Sequence, residues 1–257
     1  MANKETVGGT IKVALVLCIV CSVFVSAAAV MLRPAQQANK ELDKKTNILA
    51  AAGLLKPGIS IDQQFASIRT RAVDLDTGKF TDAVDVAVYD QRKASKDAAF
   101  SKVLSADDDL AKISRRVKYA VVYIVEGEGG IEKVILPIKG YGLWSTLYGF
   151  LALDTDLNTV VGIGFYEHAE TPGLGGEVDN PLWKAEWIGK KVYDDDGKAV
   201  LSVIKGKVDT SRPAAIYQID GLSGATLTSR GVHNLIQFWL GEQGFAPFLK
   251  NLKDREA

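Results

Sequence analysis

Cysteine and histidine are both scarce, with two of each in 257 residues. Two cysteines cannot build a disulfide framework, and with only two histidines beside them a rich metal cluster within this chain is ruled out. Lysine and arginine total 31 against 31 aspartates and glutamates, and the basic residues are scattered, so nothing points to nucleic acid. No Gly-x-Gly-x-x-Gly fingerprint and no Walker loop occurs, which argues against a nicotinamide or nucleoside triphosphate site on this chain. A regular βαβ alternation is missing as well, which excludes a Rossmann-type sheet.

One long hydrophobic run is present. Val13 to Leu32 carries no charge and suits a single transmembrane helix. A cleavable secretory signal is the rival, with Lys4 and Lys12 ahead of the apolar core and the small residues Ser26-Ala27-Ala28-Ala29 after it. The run continues through Val30-Met31-Leu32, which favours a retained anchor over residues 13–32 behind a cytoplasmic N-terminus of residues 1–12. A bare count sets Lys4 and Lys12 against Arg33, Lys40, Lys44 and Lys45 and would keep the large domain cytoplasmic, but long domains translocate largely regardless of charge. Cys18 and Cys21 share one face of this helix, either as half of an iron–sulfur site completed by another chain or as small apolar residues at a helix contact.

Residues 33–114 read as helical or irregular. Ala38 to Leu55 has helical composition and is closed by Lys56-Pro57-Gly58. Ile61, Phe65, Ile68 and Ala72 continue at helical spacing, and Asp76-Thr77-Gly78 makes a turn. Lys79 to Lys112 is charged, weakly patterned and read as surface. A core domain follows over residues 115–245, with a tail over 246–257. Lys118–Val125 and Ile131–Ile138 pair around a glycine turn, as do Gly149–Leu153 and Thr159–Glu167 around Asp154-Thr155-Asp156. Asn180-Pro181 opens a short helix bearing Trp183 and Trp187, and Lys198–Val208 and Ala214–Ile219 read as further strands. The fold class is therefore α+β: an N-terminal transmembrane helix, then a mixed or antiparallel sheet with flanking helices.

Three stretches invite chemistry. In Asp220-Gly221-Leu222-Ser223-Gly224-Ala225-Thr226-Leu227-Thr228-Ser229 a short strand runs through a hydroxyl-rich loop into a helix striped by Val232, Leu235, Ile236, Trp239 and Leu240. Thr228 or Ser229 serves as N-cap, and the helix N-terminus faces the loop as a place for a phosphate. An ordinary capped helix start fits the same residues. Gly140-Tyr141-Gly142-Leu143-Trp144 sets aromatics beside glycines, either as a cover for a flat ring or as a core corner. Glu167 to Gly176 runs from a strand into a Pro-Gly turn, where His168 and Glu170 are too few for a metal site and a lone histidine is more often structural than catalytic.

Asp220, Ser223, Gly224, Ala225 and Thr226 together resemble the acceptor motif at which a periplasmic flavin transferase attaches FMN to threonine through a phosphodiester. With the His168–Gly175 stretch, Leu143-Trp144 and the N-terminal apolar helix, nearly the whole chain resembles the C-subunit family of the Na⁺-translocating NADH:quinone reductase. The acceptor motif is shared with the G subunit of the Rnf electron-transport complex. The resemblance implies an inner-membrane, single-pass protein with a periplasmic FMN domain and Thr226 Oγ as the covalent phosphoryl site. Thr171, Leu174 and Gly175 would line the ring edge, Trp144 would cover it, and Lys207 is either a charge near the ring or, more commonly for an exposed lysine, a solvated strand residue. It further implies the A, B, D, E and F subunits as partners, with electrons passing from a membrane iron centre to the FMN of the B subunit. The Rnf counterpart, and a membrane-anchored periplasmic binding or assembly module without flavin, stand as alternatives.

Overall fold

The computed structural model describes residues 6–257, so Lys4 of the charge count lies outside the described residues. Two compact units are present, divided between Lys44 and Lys45. The first is helical. Helix α1 spans Val7–Ala51, its residues 45–51 belonging to the second unit, and is long and apolar enough to cross a membrane, with Val13, Leu17, Val20, Phe24 and both cysteines exposed along it. One continuous helix replaces the separate segments expected around residue 33. Pro34 lies inside it: the residues beyond, rich in Ala, Lys, Glu and Leu, have enough helix propensity to carry the chain past a missing N–H.

The helix stops before Lys56-Pro57-Gly58. Leu54 N–H donates to Leu49 C=O and Gly53 N–H to Ala50 C=O, the paired bonds of a Schellman motif, with Gly53 at φ +66° supplying the left-handed residue. The short helix α2 (Ile61–Phe65) is capped by Ser60 Oγ, which accepts from Gln63 N–H. Ile68 and Ala72, expected on a helix, lie instead on strand β1 (Ile68–Asp74), where a seven-residue antiparallel register with a later strand outweighs the local spacing. After the turn at Gly78 come β2 (Lys79–Thr81), α3 (Gln91–Ala94), β3 (Ser101–Val103) and β4 (Arg115–Val117). The hairpins appear as β5 (Tyr119–Gly127) with β6 (Gly130–Tyr141), and β7 (Thr146–Leu153) with β8 (Val160–Glu167). They form an antiparallel sheet of order β2-β1-β5-β6-β7-β8.

Beyond the sheet, Asn180 Oδ1 accepts from Leu182 N–H and caps α4 (Pro181–Ala185), as Asn-Pro predicts. The two strands expected at 198–208 and 214–219 shrink to β9 (Ser202–Val203) and β10 (Gln218–Ile219), a parallel pair; Pro213–Tyr217 is a 3₁₀ turn because Pro213 has no N–H to give a ladder. Helix α5 (Thr226–Trp239) follows. Residues 246–253, expected as a tail, form α6 (Ala246–Lys253), which buries Phe248 and Leu249.

The sheet is covered on both faces. Ile48 and Leu49 at the end of α1 pack with Val121, Tyr123, Val125, Ile135 and Phe150 on one side. On the other, Val122, Ile124, Leu136 and Leu151 meet Trp183 and Trp187 together with Val232, Leu235, Ile236 and Trp239 of α5. That is why β5 reads as a nearly unbroken apolar run rather than an alternating one. Each fully buried large side chain of this kind stabilises the fold by roughly 1.5–3 kcal/mol. The register pairs Tyr141 with Thr146 and Tyr148 with Glu167, so the β6–β7 loop and the segment leaving β8 emerge at one end of the sheet.

Candidate functional site

Three segments meet at that end: the loop 142–145, the loop 168–176 and the start of α5. Their junction is Glu170. It is 5% exposed, and its Oε1 accepts from the backbone N–H groups of Leu143 (3.1 Å), Trp144 (3.0 Å) and Ser145 (3.2 Å). Its Oε2 accepts from the Thr228 hydroxyl at 2.7 Å. Two glycines make room for the carboxylate. A Cβ on Gly142 would stand 2.6 Å from Oε1, and one on Gly175 would stand 2.7 Å from Oε2 and 2.5 Å from Thr228 Oγ1. Burial pushes the Glu170 carboxyl up, but the Thr228 hydroxyl and the N–H groups of Trp144, Ser145 and Leu143 outweigh it and hold the group below its ordinary value. Glu170 is therefore an ionised staple rather than a free acid or a metal ligand. No cluster of three potential metal ligands occurs among the described residues.

His168 belongs to the same scaffold. Its Nδ1 accepts from Glu170 N–H at 3.2 Å, which leaves Nε2 to donate to Asp179 Oδ2 at 2.7 Å. These two bonds tie the segment leaving β8 to Asp179 and to the backbone of Glu170. Thr171 C=O accepts from Leu174 N–H and Gly176 N–H, closing the Pro-Gly loop.

At α5 the expected capping is corrected. The helix begins at Thr226, three residues earlier than a Thr228 cap requires, and the N-cap position is Ala225 with no side-chain cap. Thr228 and Ser229 lie buried in the first turn. Ser229 Oγ accepts from Leu222 N–H (2.9 Å) and donates to Ala225 C=O (3.1 Å), which ties the loop to the helix from inside. The first N–H groups of α5 thus have neither intrahelical acceptors nor a capping side chain. Thr226, at the first helical position, is exposed.

The other anticipated residues divide. Ser223 and Gly224 are exposed at the loop tip, Gly224 at φ +70°, and Ala225 is buried. Leu174 approaches this tip: its Cδ2 is 3.0 Å from where a Cβ on Gly224 would stand. Leu174 (44% exposed), Leu143 (37%), Trp144 (65%) and Leu227 (52%) leave large apolar surface open around the junction. Thr171 is exposed and Gly175 buried. Asp220 works within the loop. Its Oδ1 accepts from Val208 N–H (2.7 Å), its carbonyl accepts from Trp183 Nε1 (2.9 Å), and its N–H donates to Glu186. Lys207 is exposed beside Val208.

Sequence reasoning missed the cleft flanking Thr226. About 240 Å³ of space is lined by Lys205, Gly206, Gly221, Thr226, Arg230 and His233 among others. Neither Lys205 nor Arg230 is paired with a carboxylate among the described residues, and burial holds His233 below its ordinary pKa. The signal for Arg230 and His233 was present in their spacing, since helix positions 226, 230 and 233 lie along one face.

The residues fit a flavin phosphate and ring: free helix N–H groups and unpaired cations beside an exposed hydroxyl, with open apolar side chains around it. Residues 142–241 match the family model described as FMN-binding domain, so the fold is that of an FMN-binding flavoprotein domain on a chain with an N-terminal apolar helix. The whole chain is 56% identical to the C subunit of the Na(+)-translocating NADH-quinone reductase of Pseudomonas aeruginosa, over 100% of both chains. It is 49% identical to the counterpart of the same name from Yersinia pestis, over 98% of this chain and 95% of the relative. The crystal structure of Shewanella oneidensis NqrC superposes with a TM-score of 0.77 at 37% identity, covering 84% of this chain and 99% of that one. The chain belongs to the C-subunit family of the Na⁺-translocating NADH-quinone reductase.

Proposed function

We propose that this chain carries FMN through a phosphodiester between the flavin phosphate and Thr226 Oγ, and that it relays electrons within a Na⁺-translocating NADH-quinone reductase. The observation that carries the reading is the contrast between two neighbouring threonines. Thr226 presents its hydroxyl at an uncapped helix N-terminus, while Thr228 is fully buried and donates to Glu170. A transferase can reach only the first.

The bound flavin supplies the electron-transfer chemistry, and this chain's residues supply attachment and surroundings. The first-turn N–H groups of α5 stabilise the single charge left on the esterified phosphate, with Lys205 and Arg230 adding positive charge beside it. Leu143, Trp144, Leu174 and Leu227 offer apolar area for a ring edge, and Thr171 and Gly175 set the loop that holds Leu174 there. A covalent tether keeps a carrier in place through repeated turnover. In this reading residues 13–32 span the inner membrane once, the domain is periplasmic where the flavin transferase acts, and the A, B, D, E and F subunits complete the assembly. Electrons pass from the membrane iron centre to this chain and on to the FMN of the B subunit.

The test is genetic and biochemical together. Membranes from cells whose own gene carries Thr226→Ala are expected to keep the assembled complex but lose Na⁺-dependent NADH:quinone reductase activity. Retained activity in that strain contradicts the relay. Co-purification with Rnf components instead assigns the chain to that complex.

A further inference from the structure

We propose that Glu170 is a positioning residue whose buried negative charge also sets the reduction potential of the flavin held at this site. The proposal rests on the flavin reading above and adds to it a residue that tunes the cofactor.

Three segments of the site are joined through this one carboxylate, and none of its partners is a cation. Its acceptors are filled by three backbone N–H groups and one hydroxyl, all neutral donors. His168 faces its backbone, not its carboxylate, and is itself turned to Asp179. A full negative charge therefore sits buried behind the 142–145 loop and the first turn of α5. Four neutral donors hold it ionised, and no lysine, arginine or histidine forms a salt bridge to it among the described residues. A structural staple alone needs no charge. A glutamine amide oxygen accepts the same three N–H groups, and the Thr228 hydroxyl rotates to accept from the amide nitrogen.

What the charge does and the amide does not is act over distance. Each electron taken up by the flavin adds negative charge there until a proton follows. A fixed anion held by the same loops makes that uptake less favourable and lowers the potential. Glycine at 142 and at 175 is what lets the carboxylate lie this close to the loop backbones and to Thr228.

The experiment is spectroelectrochemical titration of the flavin-loaded protein as wild type, Glu170→Gln and Glu170→Asp, with melting of the three flavin-free proteins read alongside. Glu170→Gln is expected to favour the reduced flavin about tenfold in each one-electron step, a rise of about 59 mV. Glu170→Asp keeps the charge and shortens its reach, so its equilibrium is expected to stay within about twofold of wild type even where melting falls. An unchanged or lowered potential in Glu170→Gln overturns the assignment. So does an equal shift in the Gln and Asp proteins, which would make geometry the cause, and so does a Glu170→Gln protein that folds but takes no flavin. If wild type itself takes no flavin, the flavin reading falls with it; flavin-loaded wild type beside an unshifted Glu170→Gln overturns this proposal alone.

Discussion

Thr226 and Thr228 share a side chain and stand two residues apart, yet their surroundings differ completely. Replacing Thr228 by Val keeps its volume and removes the hydroxyl that donates to Glu170, so a loss of about 2 kcal/mol is expected in urea unfolding. Thr226→Ala is expected to change stability by no more than about 0.5 kcal/mol, because the side chain is exposed. Lys139 offers a different residue-scale test. Burial, with the charge of Arg92 adding to it, lowers its pKa from 10.5 to about 8. Because the folded value is depressed, its favourable contribution exists only above the unfolded value and is lost as pH falls towards 8. At neutral pH the ammonium is a burden, and Lys139→Met is expected to stabilise the protein by on the order of 1 kcal/mol in the same assay.

Among the elements, α5 decides the shape of the site, and it lies unusually close to its neighbours. A Cβ on Gly231 would stand 2.5 Å from Tyr141 C=O and 2.9 Å from Gly142 Cα, and one on Gly140 would stand 2.5 Å from Leu235 Cβ. Trp239 Nε1 reaches across to donate to Lys139 C=O at 2.7 Å. Gly→Ala inside an exposed helix is normally stabilising, but Gly231→Ala here is expected to cost about 1–3 kcal/mol through overpacking, read as a lowered melting temperature. Unchanged melting would show that the helix has room to retreat. The same closeness explains what sequence could and could not show. The acceptor stretch was legible because its parts are contiguous, and so were both hairpins and the Asn180-Pro181 cap, each a local signal. Glu170 was not legible as a hub, since its partners stand 27 and 58 residues away and two of its neighbours are glycines with nothing to read. The helical spacing of Ile61 to Ala72 misled for the opposite reason: a local period was overridden by pairing with a strand near residue 120. The cap at Thr228 failed because a buried carboxylate elsewhere in the chain claims that hydroxyl.

Taken whole, the molecule is a domain from Lys45 onward and a helical unit ahead of it. A chain shortened to residues 45–257 contains both core clusters entire and is expected to fold as a soluble unit with a cooperative unfolding transition. Its acid stability should decline in two stages. Burial lowers His233 from 6.5, and Glu170 is lowered from 4.5 by its donors against the pull of burial. In each case the unfolded chain binds the proton more readily, so stability is complete above the ordinary value and is lost as pH falls through the depressed one. The decline that begins below about 6.5 is expected to vanish in His233→Gln, and the later one to shrink in Glu170→Gln. The central claim, a flavin esterified to Thr226, is tested most directly by ultraviolet fluorescence of a denaturing gel after production with the flavin transferase. Wild type and Thr228→Val are expected to give a fluorescent band and Thr226→Ala a dark one. A dark wild type, or a Thr226→Ala band as bright as wild type, would contradict the account.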